Sequence, residues 1–347
     1  MKSEAKQEKV IDEIVEGLYK IRVPIPFRGL GHVFVYLARD DDQNLLVDTG
    51  WNDENSYNAI KSGFGELGFE SRNLQNILIS HAHPDHFGLA GRLKKEAPKA
   101  KLLMSQADAQ RVLSSAAEPK VLVGEMESFV RMHGTPEEEN GLMLEASVQM
   151  AQRFVDIPRP DAMLKGMETI KVGNLLEFKV ILTPGHTRGN LCLYETRGSG
   201  LFFSGDHVLP TITPNISLSP LYPGDPLGDY LRSLEFVKKL STRKVLPSHE
   251  FVFENLPRRV DEIGRHHEER LADVLNALGH GEMKTGYEVS TELHWHSGHW
   301  SMLSPWEKRS ALTETLAHLE YLKRKNQIFE FQEGPGETKR VFYSRMS

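Results

Sequence analysis

Three imidazoles and a carboxylate fall within six residues of this chain, in His81-Ala82-His83-Pro84-Asp85-His86. The string follows directly on an apolar, strand-like run, Ile77-Leu78-Ile79-Ser80. Neutral imidazole and carboxylate are the donors that zinc and similar borderline metals prefer. Donors this close cannot all face one ion from an extended strand, whose side chains alternate. A tight loop at a strand end can turn His81 and His83 to one side and Asp85 and His86 to the other. Such geometry suits two metal ions, and paired ions suit hydrolysis.

The rest of the chain supplies further donors in similar settings. His186 sits in Thr183-Pro184-Gly185-His186-Thr187, Asp206 in Phe202-Phe203-Ser204-Gly205-Asp206-His207, and His249 in Val245-Leu246-Pro247-Ser248-His249. Each follows a short β-prone run and a small or Pro/Gly turn residue. Loops leaving strand ends are where α/β folds place their chemistry.

With Leu45-Leu46-Val47-Asp48-Thr49-Gly50 ahead of these segments, the chain resembles the metallo-β-lactamase superfamily of metallohydrolases over about residues 45 to 250. The resemblance implies a four-layer αββα sandwich with the site along one edge. It implies that His81, His83 and His186 hold one metal, that Asp85, His86 and His249 hold the other, and that Asp206 bridges them. Two divalent ions are expected, zinc by default, with iron or manganese also used by relatives. A metal-bridging hydroxide would be the nucleophile, and Asp85 could also accept a proton from the attacking water.

The length, 347 residues, permits one large domain or two ordinary ones. Strands are expected at 18–23, 32–37, 45–47, 76–80 and 101–104, with helices at 54–67 and 87–96. Residues 106–165 break this α/β pattern with helix-prone segments at 106–117, 121–133 and 136–154. This insertion is expected to roof the pocket, with Met126, Phe129 and Met143 as an apolar lining. Strands return at 178–182, 191–196, 201–204 and 245–246, with a loop over 208–227 and a helix at 230–240. The catalytic domain is therefore assigned to 1–257. Residues 258–347 read as helices at 258–278, 289–293 and 305–325 followed by a hairpin, 328–331 with 340–343. That order resembles the winged-helix tail attached to one branch of these hydrolases.

Several residues keep two readings. Asp48 either orients a ligand imidazole or caps a turn, and His207 adjoins the bridging Asp206. Tyr222 and Asp225 are substrate contacts or plain loop residues. His294, His296 and His299, interleaved with Trp295 and Trp300, read as an aromatic-rich packed segment rather than a second metal site. His266 and His267 lie on a Glu/Arg-rich helix and are expected at the surface. Cys192 is the one cysteine, so no intramolecular disulfide forms; it reads as a buried thiol.

Net charge is -6, which gives no global attraction to nucleic acid or to anionic membranes. No signal-peptide core or membrane-length apolar run is present, so a cytoplasmic protein is expected. Among the superfamily's activities, the β-lactamases generally lack the bridging carboxylate supplied by Asp206. Quorum-signal lactonases place a Tyr where Leu209 stands. The first reading is a hydrolase of a small-molecule ester or thioester, with glyoxalase II as the nearest familiar chemistry. The alternative is an endoribonuclease or phosphodiesterase whose tail binds nucleic acid. Acidic and basic residues balance in that tail, so nucleic-acid binding is expected to be weak. The tail should pack on the catalytic domain or on a second copy in a homodimer.

Overall fold

Apolar residues alternate along the strands of both halves, and that alternation stacks the layers. The computed structural model describes residues 10–26, 29–151, 157–220 and 222–346. In the first half, β1 (Ile11–Val15), β2 (Leu18–Pro24), β3 (His32–Asp40) and β4 (Gln43–Val47) run antiparallel. After α1 (Glu54–Glu66), β5 (Asn76–Leu78) pairs parallel with β4. Then come α2 (Pro84–Phe87), α3 (Ala90–Glu96) and β6 (Lys101–Ser105), parallel to β5. The inserted helices α4 (Gln106–Ala117), α5 (Pro119–Met132) and α6 (Glu137–Ala151) precede β7 (Ala162–Leu164), which completes a seven-stranded sheet.

The second half repeats the theme. β8 (Thr169–Val172), β9 (Leu176–Leu182), β10 (Leu191–Glu195) and β11 (Leu201–Gly205) are antiparallel, and α7 (Pro226–Val237) leads to β12 (Lys244–Pro247), parallel to β11. Leu45 and Phe203 point between the two sheets, where they meet Tyr36, Phe178 and Leu246. Their chain neighbours Leu46 and Phe202 point outward, as the two-residue period requires. Leu46 packs with Ile60 and Phe64 of α1, and Phe202 with Tyr230 and Leu234 of α7. The layers are therefore helix, sheet, sheet, helix, as the resemblance implied.

The expected helix at 87–96 is split. Its first turn, α2, starts inside the histidine string at Pro84, whose fixed φ suits a helix start. Gly88 then lets the backbone pass: a Cβ there would lie 2.5–2.7 Å from Pro84 O, Asn52 N and Gly50 O. The expected loop over 208–227 ends early, because Asp225 caps α7 by accepting from Gly228 N at 2.8 Å. The short strands β1, β7 and β8 were not foreseen, being too brief to show a period. The end of the helix expected over 136–154 and the start of the chain at 1–9 lie outside the described residues.

The tail comprises α8 (Leu256–Leu278), β13 (Lys284–Thr285), α9 (Gly286–Glu292), α10 (Pro305–Arg324), β14 (Ile328–Glu333) and β15 (Arg340–Arg345). The expected hairpin is β14 with β15, and β13 adds a third strand in the order β13-β15-β14. The boundary assigned after 257 falls inside α8. Val260 and Ile263 join the catalytic layer around Tyr230, whereas Val274 and Leu278 join the tail core. Pro257 in the first turn starts this helix instead of marking a linker.

The tail core also takes in Val130 of α5 and Met143 of α6, packed with Leu312, Leu316 and Leu319 of α10. Phe129 and Met143 thus serve this junction and not the pocket, correcting the expected lining. The stripe they belong to needs an apolar partner, and α10 provides it. His267 is likewise buried, not on the surface; its Nδ1 lies 3.1 Å from His318 Nε2. Trp295 and Trp300 are buried in the same core, whereas His294, His296 and His299 are exposed, so that segment is aromatic packing.

Leu316 is fully buried here, with Cδ2 filling the space a Cβ on Gly286 would occupy. Leu316→Ala should lower global stability by about 2–5 kcal/mol through the cavity it leaves. Urea denaturation of the full chain measures it.

Candidate metal centre

The strand-exit loops of both halves converge at one edge of the sandwich. Two groups of donor atoms form there: His81, His83, His186 and Asp206, and beside them Asp85, His86 and His249. His83 Nδ1 lies 3.0 Å from both His81 Nε2 and His186 Nε2. Asp85 Oδ2 is 3.6 Å from His86 Nε2 and 3.4 Å from His249 Nε2. Asp206 stands between the groups, with Oδ2 3.6 Å from both His186 Nε2 and His86 Nε2, and Oδ1 3.5 Å from His249 Nε2. The structure thus brings together every donor named from the sequence.

The outward nitrogens show why the inner ones face inward. His86 Nδ1 donates to Asp48 Oδ2 at 2.8 Å, His249 Nδ1 to the His32 carbonyl at 2.8 Å, and His186 Nδ1 to the Asn215 carbonyl at 3.0 Å. Ser80 Oγ donates to Asp48 Oδ2 at 2.8 Å and so accepts from His81 Nδ1 at 3.0 Å. Each bond sets a tautomer that leaves the inner nitrogen with a lone pair. Asp48 therefore orients a ligand; its residue adopts a left-handed φ of 64° at the end of β4.

Three of the inner atoms have no hydrogen-bond partner of their own. His86 Nε2, His249 Nε2 and Asp206 Oδ1 are buried without a hydrogen bond. Unsatisfied buried donors and acceptors are costly, and imidazole lone pairs facing one another repel. Nitrogen-rich donors with one intervening carboxylate fit divalent metal ions, which would satisfy all of them at once.

Electrostatics divide the centre. Burial, reinforced by neighbouring imidazoles, holds His81 and His83 well below the usual histidine range. Burial opposes charge on His249 too, but Asp206 and Asp85 outweigh it and raise its pKa to about 10, so a metal ion bound there would displace the Nε2 proton. Burial would raise Asp85, yet His86 and His249 bring it down to about 2, so it stays ionised.

Asp108, missed in the sequence, ties two ligand loops together. Its carboxylate accepts from Ala82 N at 2.8 Å, Thr187 Oγ1 at 2.7 Å and Gly189 N at 2.9 Å. The local signal, Ser105 three residues ahead of it, speaks only of a helix start. His207, by contrast, packs its ring on Tyr230 at 5.2 Å and is buried in the core. Tyr222 lines the cavity and donates to Asp229 Oδ2 at 2.9 Å, and Asp225 is a helix cap.

A cavity of about 1110 Å³ opens on the donors. Its walls include Arg111 of α4, Leu122 and Met126 of α5, Tyr222 of the loop between β11 and α7, and Trp306 and Arg309 of α10. The insertion forms a wall as expected, though Met126 alone of the three named apolar residues lines it. The tail's share was not foreseen. α10 grips the loop behind His186: Leu218 N donates to Thr313 O at 3.0 Å and Asn215 Nδ2 to Glu314 Oε2 at 2.8 Å.

Fold and centre together define a metal-binding α/β hydrolase. The metallo-beta-lactamase superfamily model matches residues 28–249, and the chain belongs to that superfamily. It is a metal-dependent hydrolase. A metallo-beta-lactamase family protein from Thermus thermophilus superposes with a TM-score of 0.79 at 28% identity, covering 96% of this chain and 100% of that one. The "Beta-lactamase-like protein 2 homolog" of Caenorhabditis elegans is 25% identical over 307 residues, 88% of this chain and 81% of that protein. The "Hydroxyacylglutathione hydrolase" of Nitrosococcus oceani is 32% identical over 97 residues, 28% of this chain and 35% of that protein.

Two outcomes follow. Asp48→Asn removes the acceptor that aims His86, so metal affinity should fall about 10–100-fold in chelator-competition titrations. Glu314 is pushed by burial to about 7, against the opposing charge of Arg270 and the Asn215 hydrogen bond. A carboxyl raised in the folded state adds stability that is full below its unfolded value, near 4.5, and is lost as pH rises through about 7. Glu314→Gln should thus gain about 3 kcal/mol relative to the parent at pH 8, shrinking toward zero below pH 4.5, in paired denaturation curves.

Proposed function

We propose that this enzyme hydrolyses a small-molecule ester or thioester, using two divalent metals, most simply zinc. The observation that carries this reading is the cavity, about 1110 Å³ with the donor set opening into it. Small-molecule sites commonly measure about 300–1,000 Å³, and this one is walled in part by α4, α5 and α10. The likeness to a hydroxyacylglutathione hydrolase, a thioesterase by name, supports the same chemistry.

His81, His83 and His186 would hold one ion, Asp85, His86 and His249 the other, with Asp206 shared. The ions would supply Lewis acidity toward the scissile carbonyl and toward water. The chain's own residues do the rest. Asp48, Ser80, Asn215 and the His32 carbonyl hold the imidazoles in their tautomers. Asp85 lines the cavity beside these donors, where it could accept a proton from attacking water besides its ligand role. Apolar Leu122 and Met126 exclude bulk water from the acyl group.

The nucleic-acid alternative draws less support. Leu312, Leu316 and Leu319 of α10 are committed to the core, and Thr313 and Glu314 to the loop behind His186. Little of that helix remains to enter a groove. Among the described residues, no helix is long and apolar enough to cross a membrane.

The test is a panel of thioesters, lactones, phosphodiesters and single-stranded RNA with metal-assayed protein. Thioester or ester turnover is expected, with nearly two metals per chain. Asp206→Ala should cost at least about 100-fold in kcat/KM and release metal. Metal-dependent RNA cleavage at physiological salt, lost in His83→Ala and unaccompanied by ester turnover, would overturn the proposal.

A further inference from the structure

Arg111 and Arg309 line the cavity from different parts of the chain, the insertion and the tail. Both are densely surrounded by protein yet keep surface open to the cavity. Neither has a carboxylate partner at ion-pair distance among the described residues. Arg309 Nη1 donates to Ser147 Oγ at 3.1 Å, and its guanidinium lies 4.0 Å from the Trp306 ring centroid. Asp108 is the acid nearest in sequence to Arg111, but its carboxylate is committed to Ala82, Thr187 and Gly189.

A guanidinium cannot shed its proton at physiological pH. Two of them facing one cavity are unfavourable unless an anion joins them. Burial, then the charge of Arg111, brings Arg309 down to about 10, while at Arg111 the charge of Asp108 offsets part of the effect of burial. Arg111 and Arg309 line the same cavity as His83, Asp85 and Asp206. The pair therefore sits within one small molecule's reach of the metal ligands. The Trp306 ring covers one side of the Arg309 guanidinium, which still has N–H donors left for an anion.

We infer that Arg111 and Arg309 form an oxyanion-binding subsite, so that the substrate is an ester or thioester carrying a carboxylate or phosphate away from the scissile bond. The inference rests on the small-molecule hydrolase reading and narrows it. It also gives the tail a role in specificity, since α10 contributes both Arg309 and Trp306.

Two matched substrate pairs test this with the metal-loaded full chain. In one pair the acyl group ends in a carboxylate or its methyl ester. In the other, the leaving thiol carries a phosphate monoester or a hydroxyl. The anionic member of one pair should be preferred about 10–100-fold in kcat/KM, mostly through KM, the size of a charge-assisted contact. Whichever pair shows the preference identifies the source of the anion. In Arg309→Met and in Arg111→Met the preference should fall to about 3-fold or less, with Arg309→Lys retaining part of it.

A second readout does not depend on turnover. Titration with phenyl phosphate and with benzoate should change tryptophan fluorescence saturably. The change should vanish in Trp306→Phe and require about 10–100-fold more ligand in Arg309→Met. If the arginine variants do not fold, the wild-type preference and the Trp306 signal decide. Equal turnover of charged and neutral substrates, with no Trp306 response, sinks the subsite and leaves thioester hydrolysis standing. Absence of all ester turnover together with RNA cleavage sinks the broader reading instead, and the titration still reports on the subsite.

Discussion

Everything at the edge of this sandwich answers to one electrostatic problem: buried nitrogen and oxygen donors aimed at a common region, with no protein partner for several of them. His83 Nδ1 faces two other ring nitrogens at 3.0 Å, an arrangement that bare imidazoles would avoid. Rigid loops must hold it. The sheets supply that rigidity, because the ligand loops leave the ends of strands paired within the two packed sheets. Asp48, Ser80, Asn215 and the carbonyl of His32 then set each ring by hydrogen bonds from outside. Metal ions complete the inside.

The same requirement explains how distant segments are coupled. Asp108 starts the insertion and fastens both the His81 loop and the segment after His186. Asn215 supports His186 through its carbonyl and is itself held by Glu314 of α10. Insertion and tail therefore do more than cover the pocket. They share one apolar core and brace the loops that carry the ligands. A chain organised this way joins substrate access and metal geometry to the stability of a region nearly a hundred residues downstream in sequence.

The cavity has a mixed character that follows from its construction. Where α5 and α6 face α10, their apolar stripes are used up against each other, and Phe129 and Met143 go to that junction. What remains for the cavity is Leu122 and Met126 on one hand, and Arg111, Arg309 and Trp306 on the other. A purely apolar lining would have exposed more hydrophobic surface than two amphipathic helices can spare.

The sequence alone determined the seven candidate donors, their strand-end positions and the αββα class. These are local: short spacing, turn residues and two-residue alternation are all written in neighbouring positions, and the ordered motifs carry the family resemblance. It also showed helices in the insertion and tail, but not what their faces meet. Asp48 illustrates the limit, since turn cap and imidazole anchor look alike until His86 is seen 2.8 Å away. His267 looked like a surface residue on a charged helix, and only the approach of His318 buried it. Asp108, Arg111, Arg309 and Glu314 had no signal at all, because their roles depend on contacts between segments from 26 to 99 residues apart or more. Periodicity says which face of a helix is apolar; only the packed chain decides which surface receives it and which charges are left facing the cavity.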